Sequence, residues 1–270
     1  MTDDVQEVLY AVEDRIATIT LNRPERMNSF SAGLLTGWED GIRRATEDDG
    51  VRVVVVTGNG RAFSAGADLK ARADEDTVLQ QDRTPGERRN SLRYSVHRVP
   101  QALEYLDKPY LAAVNGAAVG AGMDMASMAD IRIASDQARF GMSYVNVGLI
   151  PGDGGAWLLQ RIVGTPKALE LIWSGDVFGA EEALQIGYVN RVVPHDQLLD
   201  ETYALARKLA DGPPVAMQLA KRLVYRAHNQ DFMEGLEAAQ AAMTIVQSTD
   251  DAREGPAAFV EKRKPEFKGR

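Results

Sequence analysis

Alternating signals for buried strands and amphipathic helices predict a mixed α/β fold for this chain of 270 residues. Three observations carry that expectation. Val53-Val54-Val55-Val56-Thr57 and Tyr110-Leu111-Ala112-Ala113-Val114 are short apolar runs of the kind that a sheet buries on both faces. Each runs into glycine, at Gly58-Asn59-Gly60 and at Gly116, and then into small residues that permit close backbone approach. From Gln197 to Arg270 the pattern turns mostly helical, with Leu198, Tyr203, Leu205, Leu209, Leu219, Leu223, Leu236, Met243 and Val246 supplying apolar faces.

The elements follow in order. Val8–Val12 and Ile16–Leu21 flank Glu13-Asp14-Arg15, a hairpin signal. Ser31 is placed to cap a helix whose Leu34, Leu35, Trp38, Ile42 and Ala45 share one face. Lys70 to Pro100 is polar, carries Thr84-Pro85-Gly86, and reads as helix fragments around a mobile loop near a site entrance. Its Arg83, Arg88, Arg89 and Arg93 either meet phosphate or form a solvated face. Lys108 to Ala134 holds strand, turn, helix and strand. Thr165-Pro166 opens a helix with proline expected at its first position, and Ala180–Ile186 is a short helix closed by Gly187. The strand-pair-then-helix unit recurs loosely, without a fixed sequence period.

Composition narrows the function. Lys and Arg number 31 against 39 Asp and Glu, a net charge of −8, which implies neither a nucleic-acid nor an anionic-membrane surface. The absence of cysteine excludes disulfides, thiol nucleophiles and cysteine metal sites, and fits a reducing cytoplasm. The acidic start Met1-Thr2-Asp3-Asp4 does not read as a signal peptide, and no apolar stretch reaches the ~18–20 residues that span a bilayer. His97, His195 and His228 are scattered outside any metal-ligand spacing and are expected to be structural or exposed.

The chemistry concentrates in two segments. Asn115-Gly116-Ala117-Ala118-Val119-Gly120-Ala121-Gly122-Met123-Asp124 offers small residues and then one carboxylate. A helix starting near Gly122 would leave its first N–H groups unpaired, a geometry that suits an oxyanion, with an acid or base one turn on. Arg61-Ala62-Phe63-Ser64-Ala65-Gly66-Ala67-Asp68-Leu69 has the same character and also ends in an acid. Two such turns supply the pair of donors that an enolate or tetrahedral oxyanion needs; tight packing alone would also explain either one. Ser64 lacks the context of a hydrolase nucleophile, and Gly58-Asn59-Gly60 is no dinucleotide fingerprint, because the third glycine position holds Phe63.

Together these segments resemble the enoyl-CoA hydratase/isomerase (crotonase) superfamily. Arg61–Leu69 matches its G-R-A-F-S-A-G-A-D-L signature, and Lys108-Pro109 through Asp130-Ile131-Arg132-Ile133-Ala134 matches its longer one. Ala138-Arg139-Phe140-Gly141, Gly148-Leu149-Ile150-Pro151-Gly152, Ala180-Glu181-Glu182-Ala183 with Gly187, and Ala258-Phe259-Val260-Glu261-Lys262-Arg263 follow in order. The resemblance implies a crotonase-like spiral of repeated ββα units over residues 1–196, with an acyl-CoA site, and a helical trimerisation region over 197–270. It implies a homotrimer or dimer of trimers, and no metal or redox cofactor, coenzyme A arriving as part of the substrate.

By the same resemblance, Ala67 and Ala121 fall where the family's two oxyanion N–H groups originate. Asp124 falls on the first catalytic glutamate of many hydratases and Tyr144 on the second. Tyr144 is no base near neutral pH, since a phenol titrates near 10; it orients a water or acyl chain, or simply walls the pocket. Asp153 is the compensating candidate, one position after the turn aspartate of some isomerases and dehalogenases, and alternatively the N-cap of the helix carrying Trp157, Leu158 and Leu159. Coenzyme A contacts would come from Arg26 and Met27, from the backbone around Ala65, Ala67, Asp68 and Leu69, and from Phe259 and Lys262, the last two supplied by a neighbouring subunit. Asp68 and Asp130 also read as structural acids. The implied activity is reversible hydration or double-bond isomerisation of an enoyl-CoA. A thioester hydrolase, a C–C lyase and a non-catalytic acyl-CoA-binding trimer are the alternatives.

Overall fold

The computed structural model of the protein describes residues 6–68 and 84–270. Leu69 and Arg83 lie outside them. In chain order these residues form β1 (Val8–Glu13), β2 (Ile16–Leu21), α1 (Ala32–Glu47), β3 (Val53–Gly58), β4 (Ala62–Ser64), α2 (Pro85–Tyr94), α3 (Arg98–Glu104), β5 (Tyr110–Val114), β6 (Ala117–Val119), α4 (Ala121–Ser127), β7 (Ile131–Ser135) and β8 (Arg139–Gly141). Then come α5 (Gly155–Val163), α6 (Thr165–Ser174), β9 (Val177–Gly179), α7 (Ala180–Gln185), β10 (Arg191–Val193), α8 (Leu198–Ala210), α9 (Pro214–Arg226), α10 (Phe232–Gln247) and α11 (Asp251–Glu261).

The strands deal themselves alternately into two sheets. One runs β1-β2-β3-β5-β7-β10 and the other β4-β6-β8-β9. β3 enters the first sheet and β4 the second; β5 and β6 repeat the move, then β7 and β8. Each turn therefore contributes one strand per layer, and successive turns stack in parallel, which is the expected ββα spiral. The hairpin of β1 and β2 opens it, with Asp14 and Arg15 at positive φ in the two-residue turn.

The unbroken valines of β3 are explained by two cores. Val54 and Val56 face one side, with Trp38, Ile42 and the rest of the apolar stripe of α1, whose first turn Ser31 caps by accepting from Leu34 N. Val53 and Val55 face the other, under Leu198, Ala206 and Ala210 of α8. A strand with period two, covered on both faces, admits a polar side chain only where it finds a partner, as Thr57 does by donating its hydroxyl to Ala113 O. Packing is thus continuous across residue 197, since α8 closes the second face of the sheet. From α9 onward the helices carry exposed apolar side chains instead, among them Phe232, Met233, Leu236 and Phe259.

Among the described residues, no helix is long and apolar enough to cross a membrane. Thr84-Pro85-Gly86 is the start of α2, with Thr84 and Glu87 forming a reciprocal capping box.

Candidate active site

One wall of the site is built from backbone. β4 and β6 pair in parallel, and each runs straight into its glycine turn. Gly66 sits at φ +74° with a notional Cβ 2.9 Å from Ala121 N, and a Cβ on Gly122 would meet Ser64 O at 2.0 Å. Only glycine permits that approach, so the two signature segments are locked together main chain to main chain. Two buried asparagines pin the junction. Asn28 Nδ2 donates to Ala62 O at 2.8 Å, and Asn115 Nδ2 donates to Gly60 O at 2.8 Å and Ala62 O at 3.1 Å. Ser64 Oγ is consumed in the same network, donating to Asn28 O and accepting from Gly66 N. Sequence reasoning does not single out either side chain: Asn115 precedes Gly116, whereas Asn28 meets Gly58 only in the fold, and each side-chain amide substitutes for missing ladder partners.

Ala121 is the first residue of α4, so its N–H has no intrahelical acceptor. Ala67 forms an isolated parallel bridge with Phe30, made through Gly66, whose carbonyl accepts from Phe30 N. In a parallel bridge the bonds run through the residues flanking one partner, which turns the N–H of Ala67 itself to the opposite edge. Both alanines therefore offer outward donors on adjoining segments.

The other wall is built from side chains. Asp124 is fully buried one turn into α4. Its Oδ2 accepts from Tyr144 Oη at 2.6 Å, and the same hydroxyl reaches Asp153 Oδ2 at 3.1 Å. Gly155 is the reason Asp124 fits, since a Cβ there would lie 1.9 Å from Asp124 Oδ1. The first turn of α5 thus presses on the carboxyl, and the N–H groups of Gly155 and Asp153 favour its ionised form and draw its pKa down, without completing a hydrogen bond to Oδ1. Burial wins over these contacts and over the Tyr144 hydroxyl, and together with the nearby Asp153 it pushes Asp124 up to about 7. Burial also raises Asp153, opposed by Tyr144 and His97, and raises Tyr144 far enough to keep the phenol protonated.

Asp153 does not cap α5. The cap position is Gly154, at φ +103°, and no side chain bonds there. The Asp153 side chain turns to Tyr144 instead of the helix N-terminus, and burial raises its carboxyl despite the Tyr144 hydroxyl and His97, which act to lower it. His97, read from sequence as structural or exposed, joins this wall: its Nε2 donates to Gly152 O at 2.9 Å and stands 3.6 Å from Asp153 Oδ1. Fifty-five positions separate His97 from Gly152, and no motif links them.

Of the expected coenzyme A contacts, Arg26, Met27, Ala65 and Asp68 are brought together. Met27, at φ +55°, accepts from Ala65 N at 3.0 Å, and Arg26 lies 3.8 Å from Asp68. Asp68 also accepts from Ser29 Oγ, as a structural acid would. Phe259, 86% exposed, and Lys262, at φ +56°, end the last helix. Asp130 is structural, accepting from Tyr110 N at the start of β5 and pairing with Lys221.

Known proteins resemble this chain over nearly its whole length. The sequence profile of the family described as "Enoyl-CoA hydratase/isomerase" matches residues 11–270. The chain is 35% identical to 2,3-dehydroadipyl-CoA hydratase of Escherichia coli (strain K12), over 98% of this chain and 100% of that one. It is 36% identical to 1,2-epoxyphenylacetyl-CoA isomerase of the same organism, over 97% and 98%. The crystal structure of an enoyl-CoA hydratase from Bacillus anthracis superposes with a TM-score of 0.90 at 34% identity, covering 98% of this chain and 100% of that chain.

Proposed function

The chain belongs to the enoyl-CoA hydratase/isomerase family, and from that premise we propose that it adds water reversibly across the double bond of a 2-enoyl-CoA. The N–H groups of Ala67 and Ala121 bind the thioester oxygen and stabilise the enolate, a contribution of about 3–4 kcal/mol for one such donor. Asp124 carries the proton at the α-carbon, with Tyr144 and Asp153 as its partners. Coenzyme A lies along Arg26, Met27, Ala65, Asp68 and Leu69, with Phe259 and Lys262 contributed by a neighbouring subunit of a homotrimer or dimer of trimers. The exposed apolar residues of α10 and α11 support that assembly, and the lack of cysteine suits work in the cytoplasm.

One observation carries the reading: a second buried carboxyl reaches the hydroxyl that Asp124 uses. Hydration needs both an acid and a base, and the departure at Tyr144 removed one of the two residues that hydratases use. Asp153 supplies the missing carboxyl. Double-bond isomerisation is the second reading, favoured by the placing of a phenol, not a carboxylate, directly against Asp124; a single base then moves the proton between two carbons.

The test is a panel of 2-enoyl- and 3-enoyl-CoA esters incubated with the protein in D₂O and read by mass spectrometry. Products heavier by a whole water establish hydration. Double-bond migration without added water establishes isomerisation. Esters that bind and remain unchanged across the panel overturn both.

A further inference from the structure

We propose that Tyr144 relays protons between Asp124 and Asp153, so that the buried Asp124 exchanges its proton with solvent at the surface beside His97. The inference rests on the reading of Asp124 as proton carrier and says what its partners do. Four observations support it. Asp124 is fully buried and Asp153 is 6% exposed. Tyr144 Oη lies 2.6 Å from one carboxyl and 3.1 Å from the other. A hydroxyl has one hydrogen, so for both contacts to be hydrogen bonds one carboxyl must hold a proton and donate it to Oη. Among the described residues, Asp124 Oδ1 and Asp153 Oδ1 are buried oxygens without a hydrogen bond, leaving a lone pair open at each end of the chain.

The step balances. Asp124 takes the α-proton and the C–H electron pair enters the enolate. The proton arrives on the open Oδ1, and a half-turn about the terminal torsion of Asp124 brings the new O–H to Tyr144 Oη. That proton passes to Oη as the original Tyr144 proton passes to Asp153 Oδ2. Asp124 is ionised again, Tyr144 is unchanged and Asp153 is neutral. A half-turn about the soft terminal torsion of Asp153 carries that proton to the His97 side, where brief local opening of the Gly152 turn admits the water that takes it and restores the carboxylate. His97 touches neither substrate nor reacting atoms; it is a positioning residue. Its bond to Gly152 O holds the turn that aims Asp153, and its side chain, 33% exposed, marks where the path meets solvent.

Butanoyl-CoA in D₂O is the probe, because its α-proton can be removed and returned while the ester can be neither hydrated nor isomerised. Deuterium entering the α-carbon is compared with turnover of a 2-enoyl-CoA by the same preparation. We expect the wild type to exchange; Asp153→Asn and Tyr144→Phe slow turnover, which uses the same groups, and lower exchange about tenfold further, because only in turnover does the reacting water itself reload Asp124. His97→Leu lowers the ratio of exchange to turnover about threefold by loosening the turn, an effect that general destabilisation would not place on a ratio. Thermal melting checks that each variant folds, and the two path variants lie in different elements, so either alone suffices. Exchange and turnover lost in equal proportion, or a ratio unchanged in Asp153→Asn, overturns the path while leaving the hydratase reading intact. A wild type that converts no enoyl-CoA overturns the hydratase reading itself, and the path with it.

Discussion

The two walls of the site answer the same chemical demand with opposite materials. The Ala67–Ala121 wall is main chain held by glycines and buried asparagines. The Asp124–Tyr144–Asp153 wall is side chain from three separate segments, with both carboxyls buried and the phenol half-buried between them. Backbone donors depend on conformation and tolerate a change of side chain. Buried carboxyls depend on the atom at the end of each chain and tolerate almost none.

The sharpest way to break that contrast is Asp124→Asn. We expect kcat/KM to fall about a thousandfold, the loss of a positioned general base. The same change should raise stability above neutrality. Asp124 is raised to about 7 in the fold from an ordinary value of 3.8. Its protonated form is the one the fold prefers, so its contribution is full below about pH 4 and is lost as pH rises through about 7. At pH 8 the asparagine variant should gain about 2–4 kcal/mol, visible as a higher denaturation midpoint. A variant that is both inactive and less stable would show that Asp124 holds the fold together instead of straining it.

On the backbone wall, Gly66→Ala should cost about a hundredfold in kcat. The new Cβ strains a position at φ +74° and pushes on Ala121 N, misaligning both donors. Steady-state kinetics with a melting curve separates this from unfolding. Tyr144→Phe comes next, at about tenfold to thirtyfold in kcat, because it leaves two buried carboxyls without the hydroxyl between them. Activity that depends on ionised Asp124 should rise with pH through about 7, and in Asp153→Asn the limb should move to lower pH, since a neighbouring negative charge has been removed. The smallest effect is expected for Ala121→Gly, within about threefold, because the donor is main chain. A large loss there would mean that the alanine methyl, and not the N–H alone, shapes the site.

The contrast also explains what could be read in advance. Ser31, the hairpin at Glu13-Asp14-Arg15, the valine run of β3 and the proline at the start of α6 are local signals, each decided by dihedral preference or period within a few residues. The glycine turns belong with them, because the need for close backbone approach is written in the absence of side chains. Asp153 was ambiguous between cap and acid, since a turn aspartate before a helix satisfies both patterns. His97 carried no signal at all, and neither did the fit of Gly155 against Asp124.

By itself, then, the sequence determined the alternation of strand and helix, the two signature turns and the family, because these depend on backbone conformation and on spacings of a few residues. Only the tertiary structure decided that Tyr144, Asp153 and His97 meet around Asp124. Their carboxyls, phenol and imidazole come from segments whose mutual approach is set by the packing of α3, α4 and α5, and the protonation of the two carboxyls is set largely by how much water that packing removes.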